Sequence, residues 1–114
     1  VTWSDPVEVE GMTGMPPHFL RHSSGAIICA YAERDDKNSC EKVFISWDDA
    51  KTWTDYILDD RSDCNDLGYP ASVELSNGDI LTVYYQRQPG DGKASILSSR
   101  WTLPEKKVIE AFSD

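Results

Sequence analysis

Short runs of alternating hydrophobic and polar residues follow one another along this chain, and one such pattern occurs twice. Residues 17–34 read PHFLRHSSGAIICAYAER, and residues 70–87 read PASVELSNGDILTVYYQR. Aligned at an offset of 53 residues, the two copies superimpose Pro17 on Pro70, Gly25 on Gly78, Ile27 on Ile80, Tyr31 on Tyr84 and Arg34 on Arg87. A repeat of about 50 residues is typical of stacked or radial arrays, in which no unit buries its hydrophobic face alone.

The pattern predicts four strands for the first repeat and three for the second. In each copy a strand leads into a tight turn, at Ser24-Gly25 and at Asn77-Gly78, and an apolar run then follows. Asn-Gly between such runs is a strong hairpin signal because both residues accept positive φ. The predicted strands span residues 19–22, 26–32, 42–46 and 52–58, and then 72–75, 80–85 and 94–99.

This arrangement indicates an all-β protein built from β-propeller blades, because four short antiparallel strands in roughly 50 residues describe one blade. We expect a single partial propeller domain over residues 1–114, with one blade at 16–58 and a second at 68–104. Residues 1–9 are predicted to form the outer strand of a preceding or neighbouring blade. Residues 105–114 form a tail that reads as a strand or a short helix.

Charge and hydropathy narrow the classes of partner. The net charge is −9, whereas binding to nucleic acid or to an anionic membrane needs a positive footprint. No apolar run reaches the roughly 18 residues of a membrane span. No signal peptide precedes Val1, so we expect a trimmed N-terminus or a segment of a longer polypeptide, and the compartment stays open.

Cysteines and acidic residues give no sign of a metal site. Cys29, Cys40 and Cys64 lack metal-type spacing. Cys29 lies in an apolar run and is expected in the core, whereas the other two lie in polar stretches and could form a disulfide. A solvated acidic loop is expected from the aspartates at Asp59, Asp60, Asp63 and Asp66, which lack the order of an EF-hand. We therefore predict neither a metal nor a cofactor.

The stretch SWDDAKTW, from Ser46 to Trp53, is close to the pattern S-x-D-x-G-x-T-W. It resembles the Asp-box, the repeat signature of the sialidase-like (BNR) β-propeller family. The resemblance implies that Ser46, Asp48 and Thr52 close the hairpin between a blade's third and fourth strands, and that Trp53 packs between blades. Asp and Ser oxygens suit this role because they bind turn amides. Ala50 stands where the pattern has glycine, which predicts a strained or altered turn.

Other stretches resemble the last blades of sialidase-family proteins, namely residues 66–70 (DLGYP), 81–85 (LTVYY) and 101–104 (WTLP). The resemblance covers most of residues 1–104 and implies the C-terminal blades of a six-bladed propeller. Such sialidases are retaining glycosidases that use a tyrosine nucleophile with a glutamate base, and they clamp the substrate carboxylate with arginines. Proteins of this family are often secreted.

The resemblance also implies particular site residues. Tyr69 opens the inner strand of the second blade, where the family has its nucleophile; the alternative is a tyrosine that lines the channel or closes a turn. Arg21 and Arg34 are candidates for binding the substrate carboxylate, or else surface arginines paired with nearby acids. His18 is a candidate for binding a sugar hydroxyl, or else a loop carbonyl. Asp66 is a candidate for orienting Tyr69, or else part of the acidic loop.

Other polar residues near these strands receive weaker assignments. Glu33 and Glu74 are the glutamates available as a base for the nucleophile, and strand alternation predicts that Glu74 faces solvent. His22 is expected to be an ordinary surface residue.

Two functions follow from these observations. The first is a segment of a sialidase-like glycoside hydrolase acting on sialic acid-like sugars, whose acid and remaining arginines lie in upstream blades. The second is a non-catalytic carbohydrate-binding or self-assembling module, in which about three two-blade chains close a six-bladed ring as a homotrimer. Both predict a glycan ligand and no nucleic acid, and the first leaves this chain without a complete active site of its own.

Overall fold

The computed structural model describes residues 1–35 and 37–106, and this part of the chain contains seven β-strands and no helix. The strands are β1 (His18–Arg21), β2 (Ile27–Glu33), β3 (Cys40–Ser46), β4 (Thr54–Asp59), β5 (Leu67–Glu74), β6 (Ile80–Gln86) and β7 (Ser95–Trp101). β1 to β4 form one antiparallel sheet and β5 to β7 a second, each in chain order. The all-β prediction is confirmed, and the assignment to propeller blades stays a prediction.

The strands form where the alternating pattern places them, with one extension. β5 begins at Leu67, whereas the pattern predicts a start at residue 72. Residues 1–9 form no strand in this chain, and their predicted partner is a blade outside it. The predicted tail lies largely outside the described residues, because residues 107–114 are not described.

The two repeats have matching registers. In the first sheet Glu33 pairs with Cys40 at one end of β2 and Ile27 with Ser46 at the other. In the second sheet the same pairs are Gln86 with Ser95 and Ile80 with Trp101. The 53-residue repeat of the sequence is therefore also a repeat of strand pairing, and equivalent positions in the two sheets can be compared directly.

The main core lies between the two sheets, where β5 packs against β1, β2 and β3. Its buried members are small or branched apolar side chains, namely Ala26, Ile28, Ala30, Val43, Ile45 and Ile80. Each fully buried isoleucine or valine stabilises the fold by about 1.5–3 kcal/mol relative to an exposed one. These contacts hold the start of β5 beside the end of β2, and this is where the candidate site lies.

The other face of the first sheet is covered by the segment that precedes β1. Cys29, Tyr31 and Phe44 form a second buried cluster there, and Val9 and Met12 pack on it. The prediction of a core role for Cys29 is thus confirmed. No described segment covers the second sheet in the same way, and Val73, Val83 and Ile96 are exposed there. Within the described residues, one sheet is therefore buried on both faces and the other on one face only.

Cys40 and Asp59 depart from the sequence prediction. Both were expected in polar loops, but Cys40 begins β3, Asp59 ends β4, and both are buried. Cys40 and Cys64 are free thiols, so the possible disulfide between them is absent. The error arose because the polar stretches of the sequence extend into the ends of the strands.

Candidate functional site

Tyr69 occupies an irregular start of β5. The pairing of β5 with β6 shifts register between Gly68 and Ala71, and Gly68 has φ 134° while Tyr69 has φ 48°. Positive φ in a non-glycine residue costs about 1–2 kcal/mol and persists only where its surroundings fix it. As a result the Tyr69 ring projects from the sheet, and the residue is 66% exposed.

Arg34, just after β2, lies over the ring of Tyr69. Its Cζ is 5.6 Å from the ring centroid, and its Nε donates a hydrogen bond of 3.0 Å to the carbonyl oxygen of Leu67. Gly68 makes this approach possible, because a Cβ there would lie 2.8 Å from Ala32 Cβ and 3.3 Å from Arg34 Nη2. The positions of Arg34 and Tyr69 therefore depend on one glycine.

The charge of Arg34 is not neutralised within the described residues. The other four of the chain's five arginines form ion pairs, Arg21 with Asp49, Arg61 with Asp59, Arg87 with Asp63 and Arg100 with Asp79. Arg34 is exposed and has no such pair in residues 1–35 and 37–106. A guanidinium with free N–H groups can bind a carboxylate through two parallel hydrogen bonds.

A second tyrosine extends the aromatic surface. The rings of Tyr69 and Tyr85 have centroids 5.9 Å apart with planes inclined at 30°. The Tyr85 hydroxyl donates a 2.7 Å hydrogen bond to Asp66 Oδ1, and this bond is the main reason why the pKa of Tyr85 is raised to about 12. Asp66 thus contacts the site through Tyr85 rather than orienting Tyr69. We call Arg34, Asp66, Tyr69 and Tyr85 the Tyr69 site.

Two other sequence candidates lie outside this cluster. Arg21 is at the far end of β1, where Nη1 donates to Asp49 Oδ1 at 3.1 Å and to the carbonyl of Gly25 at 3.0 Å. His18 Nδ1 accepts a 3.2 Å hydrogen bond from the Ser72 amide, which joins β1 to β5. Arg21 is thus a surface arginine paired with an acid, as its structural alternative predicts, whereas His18 binds a strand amide rather than the expected loop carbonyl.

The glutamates considered as bases are also engaged elsewhere. Glu33 accepts a 2.8 Å hydrogen bond from Thr13 Oγ1, and Glu74 accepts one of 2.6 Å from the Ser23 amide. Glu74 is therefore not simply solvent-facing. Within the described part of the chain, no carboxylate forms a hydrogen bond with the Tyr69 hydroxyl.

His22 is buried, contrary to the expectation of a surface residue. Its Nε2 donates a 2.7 Å hydrogen bond to the carbonyl of Gly78, and its Nδ1 accepts one of 3.1 Å from the Ser24 amide. The histidine joins the turns of the two repeats. The alternation of its own strand gives no sign of this, because the contact depends on how the two sheets pack.

The stretch from Ser46 to Trp53 forms a tight turn between β3 and β4 that side-chain oxygens close. Ser46 Oγ accepts from the Ala50 amide at 2.9 Å, and Asp48 Oδ1 accepts from the Thr52 amide at 2.8 Å. Hydrogen bonds from Thr52 lower the pKa of Asp48 to about 2. Ala50 has φ 69°, so the missing glycine leaves a strained residue in the turn. Trp53 packs on the covered outer face of the first sheet.

Two carboxylates are buried behind the site. Asp59 accepts hydrogen bonds of 2.7 Å from the Tyr84 hydroxyl and from Arg61 Nη2. Burial opposes ionisation, but these bonds from Arg61 and Tyr84 hold the pKa of Asp59 well below its usual range. Glu41, its partner across β3 and β4, is fully buried and neither of its oxygens has a hydrogen-bond partner.

Among residues 1–35 and 37–106, no group of three His, Cys, Asp or Glu side chains is placed to hold a metal ion. No helix in that part of the chain could cross a membrane. A cleft of about 470 Å³ does open beside the β3–β4 edge, and both Lys and Asp side chains line it.

Comparison with known proteins adds one structural relative. No family model and no curated protein matches this sequence. Among solved structures, the chain is similar to a protein of unknown function from Dyadobacter fermentans DSM 18053, with a TM-score of 0.73 and 28% identity. The match covers 85% of this chain but only 27% of that chain. This chain therefore resembles a part of a considerably longer protein, and the likeness supports its fold.

Proposed function

We propose that this chain contributes a binding site for acidic glycans to a sialidase-like β-propeller, with its two sheets as two of the blades. The observation that carries the proposal is Arg34, an arginine without an ion pair in the described chain, held over the exposed ring of Tyr69. The other four arginines are neutralised by aspartates, so Arg34 is the one best placed to receive a ligand's negative charge.

The Tyr69 site matches the two chemical features of an acidic sugar. The guanidinium of Arg34 can bind the sugar's carboxylate, because its planar group of N–H donors fits two carboxylate oxygens at once. Its two tyrosine rings offer an apolar surface on which the C–H face of a pyranose can pack. Asp66, already bonded to Tyr85, has a second oxygen that can accept a hydrogen bond from a sugar hydroxyl.

Hydrolysis is the more specific form of the proposal. The Tyr69 oxygen would form a bond to the anomeric carbon while the bond to the aglycone breaks, and water would later release the sugar. The phenol proton must pass to a base, and the leaving oxygen must receive a proton from an acid. Since no described carboxylate is bonded to Tyr69, we assign both groups to further blades of a complete propeller.

A non-catalytic assembly module is the second candidate. It is favoured by the bare face of the second sheet, which exposes Val73, Val83 and Ile96. Contiguous apolar patches on soluble proteins commonly mark interaction surfaces. A glycan-binding role for the Tyr69 site is compatible with either candidate, so it is tested first.

The test is a titration of the purified chain with 3′-sialyllactose, followed by two-dimensional NMR, with lactose as the uncharged control. We expect the sialylated sugar to perturb residues of the Tyr69 site and lactose to bind at least about tenfold more weakly. Arg34→Gln should lose a similar factor. Arg87→Gln, at the equivalent position of the second repeat, should bind as the wild type does.

Two outcomes of this titration would contradict the proposal. Equal binding of lactose and sialyllactose, or unchanged binding by Arg34→Gln, would overturn an acidic-glycan site at Arg34. The hydrolytic form has its own test, which compares Tyr69→Phe with Tyr69→Ala in a complete propeller. If Tyr69 is the nucleophile, both variants lose turnover while Tyr69→Phe keeps its affinity, whereas normal turnover by Tyr69→Phe would exclude that role.

A further inference from the structure

Glu41 is the buried polar group that the proposed function does not use. It lies on β3 with no exposed surface, and both of its carboxylate oxygens lack hydrogen-bond partners. An unpartnered buried carboxylate is costly, so its ionised form is strongly disfavoured there. Natural folds keep few such groups, and each one calls for an explanation.

The position of Glu41 connects it with the Tyr69 site. Across the first sheet it pairs with Ala32 on β2 and with Asp59 on β4. Ala32 is the residue that Gly68 approaches most closely, and Arg34 follows two residues later. Glu41 is therefore the cross-strand neighbour of the residue against which Gly68 packs, two residues before Arg34.

The charges around Glu41 come from several elements. Arg34, after β2, favours its ionised form, while Asp59 on β4 opposes it. Asp59 is kept ionised by Arg61 and by the Tyr84 hydroxyl of β6. On its own strand the neighbouring titratable groups are the Cys40 thiol, whose pKa is raised by burial, and Lys42, which forms an ion pair with Asp55 on β4. β5 faces this region with Leu67 and Gly68, and β6 adds the uncharged Gln86, whose Oε1 also lacks a partner.

We propose that Glu41 is a positioning residue that sets how available Arg34 is to an anionic ligand, an inference that rests on the proposed function. When Glu41 is neutral, Arg34 has no counter-charge among residues 1–35 and 37–106, and its guanidinium stays over the Tyr69 ring. When Glu41 is ionised, it becomes an internal counter-charge for Arg34 and competes with the ligand's carboxylate.

The direction of the pH dependence follows from linkage. Burial, and then the charge of Asp59, raise the pKa of Glu41 to about 8. A carboxylate bound at Arg34 offsets the positive charge that favours ionised Glu41, so the pKa of Glu41 rises further in the complex. Ligand affinity is therefore highest below about pH 8 and falls as the pH rises through that value.

The experiment measures binding of N-acetylneuraminic acid to the full chain by NMR between about pH 6.5 and pH 9.5. We expect the affinity of the wild type to fall at least about fivefold across this range. Glu41→Gln, which mimics the neutral acid, should bind as the wild type does at the lower pH and show no such fall. Glu105→Gln, which changes an exposed glutamate, is the matched control and should behave as the wild type.

Direct observation of Glu41 in the wild type keeps the inference testable even if the Glu41→Gln variant misfolds. The carboxyl carbon of Glu41 in the labelled wild type should titrate near pH 8, and at higher pH when the sugar is bound. Ordinary titration of this carbon below about pH 5 would overturn the inference, as would a pH-independent affinity or an unchanged pH dependence in Glu41→Gln. If the sugar fails to bind at every pH, the proposed function itself fails, and this inference fails with it.

Discussion

Arg34 and Arg87 occupy the same position in the two repeats but differ in what surrounds them. Arg87 is bound by Asp63 at 2.8 Å, whereas Arg34 has no ion pair among the described residues and lies over an aromatic ring. The sequence repeat alone favours the same surface role for both. The comparison teaches that the repeat fixes where an arginine lies, and that residues outside the repeat decide whether it is neutralised.

The two repeats also differ on the next strand, which is β3 in the first sheet and β7 in the second. Glu41 pairs with Ala32 in the first sheet, and the equivalent pair in the second sheet is Ile96 with Tyr85. Glu41 is fully buried between the sheets, while Ile96 is 75% exposed on the uncovered face. An acid is thus found where burial makes it costly, and an apolar residue where water reaches it.

The largest loss of stability should come from displacing the N-terminal segment that covers the first sheet. A Cβ at Gly14 would overlap the Tyr31 ring and the Ala32 carbonyl oxygen, so Gly14→Ala must displace the N-terminal segment. We expect the free energy of unfolding in urea to fall by about 3 kcal/mol. Gly90→Ala, which meets no atom within 4 Å but has φ 84°, should lose only about 1 kcal/mol. Equal losses would mean that this cover contributes little.

Replacing the buried acid should sharpen the contrast between the sheets. The native pKa of Glu41, about 8, lies above its ordinary value of 4.5, so the native state retains a proton that the unfolded chain releases. The free energy of unfolding should therefore fall as the pH rises between these values and level off above the native pKa. At about pH 8, Glu41→Gln should be more stable than the wild type by about 1–2 kcal/mol in urea denaturation. A variant no more stable than the wild type would contradict this account.

The Asp-box hairpin is confined to the first sheet, and its strain can be relieved. Ala50 has φ 69°, a conformation that glycine adopts without a steric penalty. Ala50→Gly should raise the free energy of unfolding by about 0.5–1 kcal/mol. Ala94→Gly, at an exposed position without positive φ, should leave stability unchanged or slightly lower. Destabilisation by Ala50→Gly in thermal unfolding would show that the turn is not strained.

The smallest effect tests whether an unpaired arginine is enough for binding. Asp63→Asn removes the carboxylate that pairs with Arg87. The pair is exposed, and its loss should lower the free energy of unfolding by no more than about 0.5 kcal/mol. In an Arg34→Gln background, this change should not restore binding of 3′-sialyllactose, because no described ring lies beneath Arg87. Restored binding would mean that charge alone, without the Tyr69 ring, defines the ligand site.

The sequence predicts those features that depend on local pattern. Period-2 alternation locates all seven strands, and the Asn77-Gly78 turn and the Ser46–Trp53 motif locate the hairpins. These succeed because each depends on residues close together in the chain. Tyr69, Arg34 and Asp66 were also singled out, by resemblance, and they come together at one edge.

The remaining features depend on packing between the sheets. Arg21 is separated from the site because β1 runs away from it, and it pairs with Asp49 at the opposite end. The burial of His22 and Glu41 arises only when the second repeat covers the first. The contact of the Tyr85 ring with Tyr69 lies where the pairing of β5 with β6 shifts register after Gly68, and the pattern of one strand does not predict such a shift. A single strand's pattern contains no information about the face of the neighbouring sheet.

The low pKa of Asp48 separates the acid tolerance of the hairpin from that of the rest of the molecule. Protonation of carboxylates in mild acid lowers the net charge of −9 toward zero. Asp48 keeps its charge until about pH 2, so the contribution of its turn is lost only as the pH falls through that value. In mild acid the chain would therefore approach electrical neutrality, and become prone to precipitation, while this hairpin remains closed. Acid precipitates of this protein should consequently still contain the Ser46–Trp53 turn in its closed form.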